Sequence, residues 1–334
     1  MSEWSGVPSL LHSRLRTWSM GMKLIVVCFL ALLMLIPAFL VESLVQDRKS
    51  READVVKEVS QNVGGQQTIL GPILAIPYST AADLPAQPAR HGLYLVFPSQ
   101  AAATVKTTTE ERRRSLFKVP VFRADLKLDS TFDLSGVTAG LANGDPDWSR
   151  AEIVVGVSDA RGALADALLA TGGQTFTLTP AESAPNIVLG GDQNSRLRLT
   201  LLGAHVSNLA APNAKFSASS TLHFSGAQRI AVLAWGKSTQ VNEQGDWPNP
   251  GFDGGFLPVS RTVTPSGFTA RWSVPFIARG VRSEGPADSV TGLDATAMGV
   301  SFIEVASAYQ SVNRSLKYVP LFLGSYFSPT SFSR

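Results

Sequence analysis

Residues 122–134 read FRADLKLDSTFDL. The even positions are Phe122, Ala124, Leu126, Leu128, Ser130, Phe132 and Leu134; the odd ones are Arg123, Asp125, Lys127, Asp129, Thr131 and Asp133. Side chains alternate between the two faces of a strand, so this pattern sends one set into a core and the other into water. The stretch is therefore a half-buried strand. Residues 104–115 are expected to oppose it through a turn before Val119-Pro120. The run Glu110-Glu111-Arg112-Arg113-Arg114 is read as a solvated edge or hairpin rather than an anion site, because charges blunt sheet edges.

Other short apolar runs surround this strand. They are 69–78, 91–98, 151–158, 174–179, 196–202, 215–226 and 268–274, separated by Gly, Pro, Asn and Asp. RIAVLAW at 229–235 is apolar throughout after Arg229 and suits a central strand buried on both sides. Such runs argue for antiparallel sandwiches or barrels and against βαβ units. Asn143-Gly144-Asp145-Pro146 is turn chemistry and is expected to divide two β subdomains, 66–145 and 146–308.

Residues 24–41, LIVVCFLALLMLIPAFLV, carry no charge. As a helix they would extend about 27 Å, near the thickness of bilayer hydrocarbon. Pro37 would kink such a helix without abolishing it. No small-residue cleavage site follows, so an uncleaved anchor over 21–44 is expected, after a cytoplasmic N-terminal segment, 1–20. Lys23 abuts the run, whereas the downstream cations begin seven residues beyond it; this tilts the N-terminus to the cytoplasm although the charges nearly tie. A helical stalk, 45–65, follows. Asp47 and Arg51 are spaced to pair, and Gly64-Gly65 is expected to end the helix. The last segment, 309–334, starts like a second membrane segment and turns serine-rich.

The expected fold class is thus mainly β: an N-terminal transmembrane helix and stalk, then an antiparallel sandwich-like extracytoplasmic region. Cys28 is the only cysteine, so neither an intrachain disulfide nor a cysteine metal cluster is expected. A net charge of +3 is too slight and scattered to indicate nucleic acid. The four histidines have no metal-ligand spacing, no phosphate-binding or dinucleotide fingerprint is present, and no cofactor is expected. His223 falls opposite its strand's apolar face and is expected to meet water. Gly156-Val157-Ser158-Asp159-Ala160 lacks the second glycine of a nucleophile elbow. It reads as a loop in which Asp159 holds the backbone and pairs with Arg161. Glu243, Asp246 and Asp253 are near in sequence, but acid–base catalysis needs converging geometry. The chain is not expected to be an enzyme.

Several segments, taken in order, resemble the inner-membrane protein CreD family. They include Gly71-Pro72; Asp159, Arg161 and Gly162; Trp247-Pro248 with Phe252, Phe256 and Pro258; Gly267-Phe268 with Trp272; and Arg314, Lys317 and Tyr318. The resemblance implies an extracytoplasmic β domain between a first helix and a C-terminal bundle of further membrane helices. It also implies roles in envelope integrity and colicin tolerance, and regulation with a two-component system, with a link to the β-lactam response. It supplies no catalytic residue. After Tyr318 the apolar pattern of the family is not continued, which is expected of a truncated or frame-shifted product.

The expected function is that of a non-enzymatic envelope protein, anchored in the inner membrane by one pass with its bulk in the periplasm. Its partners would be the bilayer and other envelope proteins. The alternatives are a ligand-binding ectodomain recognising a cell-wall-derived molecule, with Trp247, Phe252, Phe256 and Trp272 lining a pocket, and a hydrolase using Ser158. Those aromatics suit a β core better than a pocket.

Overall fold

A computed structural model describes residues 20–80, 90–114, 117–135, 137, 144–184, 186–189, 197–206 and 214–302. The expectations for 1–19 and 303–334, including Arg314, Lys317 and Tyr318, lie outside these residues. The chain divides into two compact units, 1–53 with 306–334 and 54–305.

In the first unit the described structure is helix α1, Met20–Val63, whose last turns belong to the second unit. The expected pair forms between Arg51 Nη2 and Asp47 Oδ2 at 2.9 Å. Ile25, Phe29, Leu30, Leu33, Ile36, Phe39 and Leu40 are exposed. Among the described residues no helix is long and apolar enough to cross a membrane; several side chains of 24–41 are outside that set.

In the second unit the helix stops where the sequence supplies residues tolerant of positive φ. Gly64 has φ +93° and Gly65 φ +60°, and both N–H groups donate to Ser60 O at 2.9 Å. Val59 and Val63 bury themselves against Val119, Val121 and Ala227.

The strands follow in chain order. They are β1 (Gln67–Thr80), β2 (Arg90–Val96), β3 (Gln100–Arg114), β4 (Phe117–Asp133), β5 (Gly144–Pro146), β6 (Glu152–Val157) and β7 (Leu168–Thr171). Next come β8 (Gln174–Thr177), β9 (Thr179–Pro180), β10 (Asn186–Leu189), β11 (Leu197–His205), β12 (Lys215–Ala227) and β13 (Arg229–Val232). The last are β14 (Ser238–Gly245), β15 (Pro250–Gly254), β16 (Ser260–Thr264), β17 (Gly267–Val274), β18 (Glu284–Pro286) and β19 (Met298–Phe302). A one-turn helix α2, Phe276–Arg279, lies between β17 and β18.

Two sheets form. One runs β10-β11-β6-β1-β13-β19-β15, with β2, β5, β9 and β18 paired off that path; the other runs β16-β17-β14-β3-β4-β12-β7-β8. Their inner faces share one hydrophobic core. From Phe122 in β4 to Leu134 just past its end every even position is buried, and the odd positions are exposed or half-buried. The expected partner is β3, in register from Gln100↔Thr131 to Arg114↔Phe117. The same alternation buries Phe268, Ala270, Trp272 and Val274 of β17. β13 is buried and central, as its unbroken apolar run requires.

Three expectations are corrected. The boundary at 145/146 is absent: both sheets take strands from either side of it, and 54–305 is one unit. Gly144–Pro146 is a strand against Tyr78–Thr80 rather than a turn, because the open ladder of β1 there needs partners. Pairing is also not wholly antiparallel, since β1 lies parallel to β13 and β3 to β14. Long connections between those strands allow it.

Candidate functional site

The motif positions do not converge on one site. Most of them solve a local packing problem. At Gly71 an added Cβ would sit 2.2 Å from the Trp235 ring, so only glycine lets that fully buried indole lie on β1. The register of β1 against β6 shifts between Leu70 and Ile73, which turns the Pro72 carbonyl away from the ladder. Trp235 Nε1 donates to Ser130 Oγ at 2.8 Å, and Ser130 Oγ donates to Pro72 O at 2.9 Å. A tryptophan N–H and a serine hydroxyl are thereby buried without loss.

The second motif closes a turn. Asp159 Oδ1 accepts from Arg161 N at 3.0 Å and Nε at 2.9 Å, and Oδ2 accepts from Nη2 at 2.6 Å. The hydrogen bond from the Arg161 side chain is the main reason that the Asp159 carboxyl lies below the usual carboxylate range. Gly162 packs on Ser225, where an added Cβ would come within 2.4 Å of the carbonyl oxygen. Gln67 Nε2 ties this turn to the end of α1 through Asp159 O at 3.0 Å and Gly64 O at 2.7 Å.

The aromatic motif fills the core. Phe252 packs on Phe268 and Trp272, each with centroids 6.0 Å away, and Trp247 meets Phe302 edge-on at 6.2 Å. Trp272 is buried and donates Nε1 to Phe256 O at 3.0 Å. Gly267, at φ +142°, presses on Gly245, where a Cβ would fall 2.1 Å from its carbonyl oxygen. Pro248 is exposed and Pro258 half-buried.

The other candidates separate likewise. Ser158 Oγ donates to Gln66 O and accepts from Thr68 N, each at 2.9 Å, which makes it a splice between β6 and β1 rather than a nucleophile beside a base. His223 is partly exposed, as expected, and meets Asp125 at 2.6 Å. Asp246 caps Thr109 N at 2.8 Å, and Asp253 pairs with Arg229 at 2.8 Å. Glu243 stands apart from both: it is buried, and its Oε1 has no hydrogen-bond partner. Val105 and Ala270 are its neighbours across the strands. Burial among them pushes its carboxyl up to about 8. Arg279 is buried as well, its guanidinium 4.3 Å from the Phe97 ring and its Nε donating to Ala234 O at 2.8 Å. Burial lowers it to about 10. Among the described residues no three His, Cys, Asp or Glu side chains are grouped to hold a metal.

An open cleft of about 660 Å³ lies where β1, β2 and β5 meet the turn Trp148–Arg150. Tyr78, Leu93 and Trp148 supply its apolar wall, packed against the core while still half-exposed. His91, Asp145, Asp147 and Arg150 supply its polar groups. The frame is backbone: Asp147 N donates to Pro77 O at 2.8 Å, and Ala151 N to Trp148 O at 3.3 Å. Asp147 Oδ1 accepts from Ser149 N at 3.1 Å, and the hydrogen bond from the Ser149 side chain, first among the causes, holds its carboxyl below the usual range. The ring of Tyr78 lies across Gly92, where an added Cβ would be 2.6 Å from the ring, and stands edge-on to Tyr94 at 6.3 Å. The sequence reading missed this cleft. Its local signal is the stretch 145–150, an aspartate-rich segment with one aromatic; the facing wall comes from β1 and β2, more than fifty residues away in the chain.

Comparison with known proteins bears on the whole chain. The family described as "Inner membrane protein CreD" matches residues 19–332. The chain belongs to the CreD family. The inner membrane protein CreD of Escherichia coli (strain K12) is 26% identical over 302 residues, which cover 89% of this chain and 64% of that protein. The chain thus spans under two thirds of the length of that curated relative. Membership bears out the resemblance drawn from the motifs. Most of the motif positions that the structure describes act in this CreD-family chain as packing and turn residues.

Proposed function

We propose that this CreD-family chain is a non-enzymatic envelope protein held in the inner membrane by one helix, with its β body in the periplasm, where it serves envelope integrity or the stress response. The observation that carries this reading is the surface of α1. Large apolar side chains from Ile25 to Leu40 stand exposed on it, Phe39 at 71% and Ile25 at 63%, within a charge-free run of 24–41. In water such a surface would be unfavourable, at roughly 25 cal/mol per Å²; in lipid it is at home, with the backbone satisfied within the helix. The thiol-free body after Cys28 suits an oxidising compartment.

The bilayer is the proposed partner of α1, and other envelope proteins are the proposed partners of the body. A phosphatase reporter fused after Gly65, active only outside the cytoplasm, tests the placement. Strong activity is expected. An inactive, stably expressed fusion would overturn the periplasmic assignment.

A further inference from the structure

The cleft beside Trp148 has a chemistry that narrows its ligand. Two ring systems, Tyr78 and Trp148, are fixed on backbone-paired elements yet keep part of their surface open. Around them stand two carboxylates, Asp145 and Asp147, one guanidinium, Arg150, and one imidazole, His91. Two carboxylates against one guanidinium leave at most one net negative charge, so neither a strongly anionic nor a strongly cationic ligand is selected. The exposed side chains of Asp145 and His91 make no hydrogen bond or ion pair among the described residues, which leaves an acceptor and a donor–acceptor open to a ligand. The volume is that of a small-ligand site, not of a protein interface.

We infer that this cleft binds a neutral saccharide, with pyranose C–H faces against Trp148 and Tyr78 and ring hydroxyls hydrogen-bonded to Asp145, Arg150 and His91. A sugar has an apolar face and an equatorial rim of hydroxyls, and the cleft offers an apolar wall with a polar rim in matching proportion. Rigid aromatic walls lose little entropy when they are covered. The open shape suits one end or one short stretch of a glycan chain, and no bond is made or broken there. The inference does not depend on which side of a membrane the body lies, so its failure would leave the proposed placement untouched.

The test is a titration of the detergent-solubilised full chain with three neutral trisaccharides: β-1,4-linked N-acetylglucosamine, cellotriose and maltotriose. The readouts are calorimetry and tryptophan fluorescence. At least one trisaccharide is expected to bind saturably with a Kd below about 1 mM. Trp148→Ala is expected to weaken binding at least about tenfold and Asp145→Asn about fivefold, while Thr262→Ala, outside the cleft, leaves it unchanged. Asp145 is exposed, so its variant decides the matter should Trp148→Ala fail to fold. The proposal is overturned if no trisaccharide binds saturably up to about 10 mM, or if Asp145→Asn binds as the parent does. It is also overturned if trilysine binds the cleft and no saccharide does.

Discussion

Two buried glutamates sit on opposite sheets and meet opposite fates. Glu152, at the start of β6, is 2% exposed; Glu243, within β14, is 3% exposed. Around Glu152 the chain brings donors: Glu182 N at 3.2 Å, Ser183 N at 3.0 Å and Ser183 Oγ at 2.6 Å, with His205 Nε2 3.8 Å away. Around Glu243 it brings Val105 and Ala270. The first carboxylate is a staple between a strand and a loop. The second is a polar group without an evident structural return, and it keeps its proton instead. Equal burial therefore says little about what a carboxyl does; its partners decide.

The largest test of this contrast is pH. Folded Glu243 holds its proton up to about 8, while an unfolded chain releases it near the ordinary 4.5. Between those values the native state binds a proton that the unfolded state has lost. The contribution is fully present below 4.5 and is lost as pH rises through 8, by several kcal/mol at about 1.4 per pH unit. Urea unfolding in detergent at pH 5 and pH 8 should record it, and Glu243→Gln should flatten the slope. A parent as stable at pH 8 as at pH 5 would break the comparison.

Removal of the staple comes next. Glu152→Ala removes the acceptor of two partly buried N–H groups and of the Ser183 hydroxyl, and is expected to cost about 2 kcal/mol, read from the urea midpoint. A cost under about 0.5 kcal/mol would mean that Glu152 is no better placed than Glu243. Ser130→Ala sharpens the point with a neutral group: the orphaned Trp235 N–H should cost about 1–2 kcal/mol, seen also as a shift in indole emission. The smallest effect belongs to Arg161→Ala. Its guanidinium is mostly exposed, so stability should change by less than about 1 kcal/mol despite its two hydrogen bonds to Asp159; the third, from the Arg161 backbone N–H, survives the change.

Much of the β body was legible because alternation leaves a strong trace. β4 and its partner β3 follow from 122–134, and β12 and β17 from the same period. The end of α1 followed from Gly64-Gly65, and the Asp159–Arg161 pair from turn chemistry. Three things left no such trace. The parallel neighbours of β1 and β3 are set by long connections that carry no period. Gly144–Pro146 has turn residues, and only the open ladder beside Tyr78 makes it a strand. Glu243 sits in STQVNEQG, where one inward polar residue looks like any other. The aromatics of 247–272 pack in or against the core, the reading preferred over a pocket, and the cleft lies at Trp148, assembled from segments that only the fold brings together.

In the proposed arrangement residues 24–41 tether the β body to a membrane. The most direct test is alkaline carbonate extraction of membranes from cells that express the full chain. The chain should remain in the membrane pellet, and a variant lacking 24–41 should be released. Release of the full chain into the carbonate wash would contradict the tether.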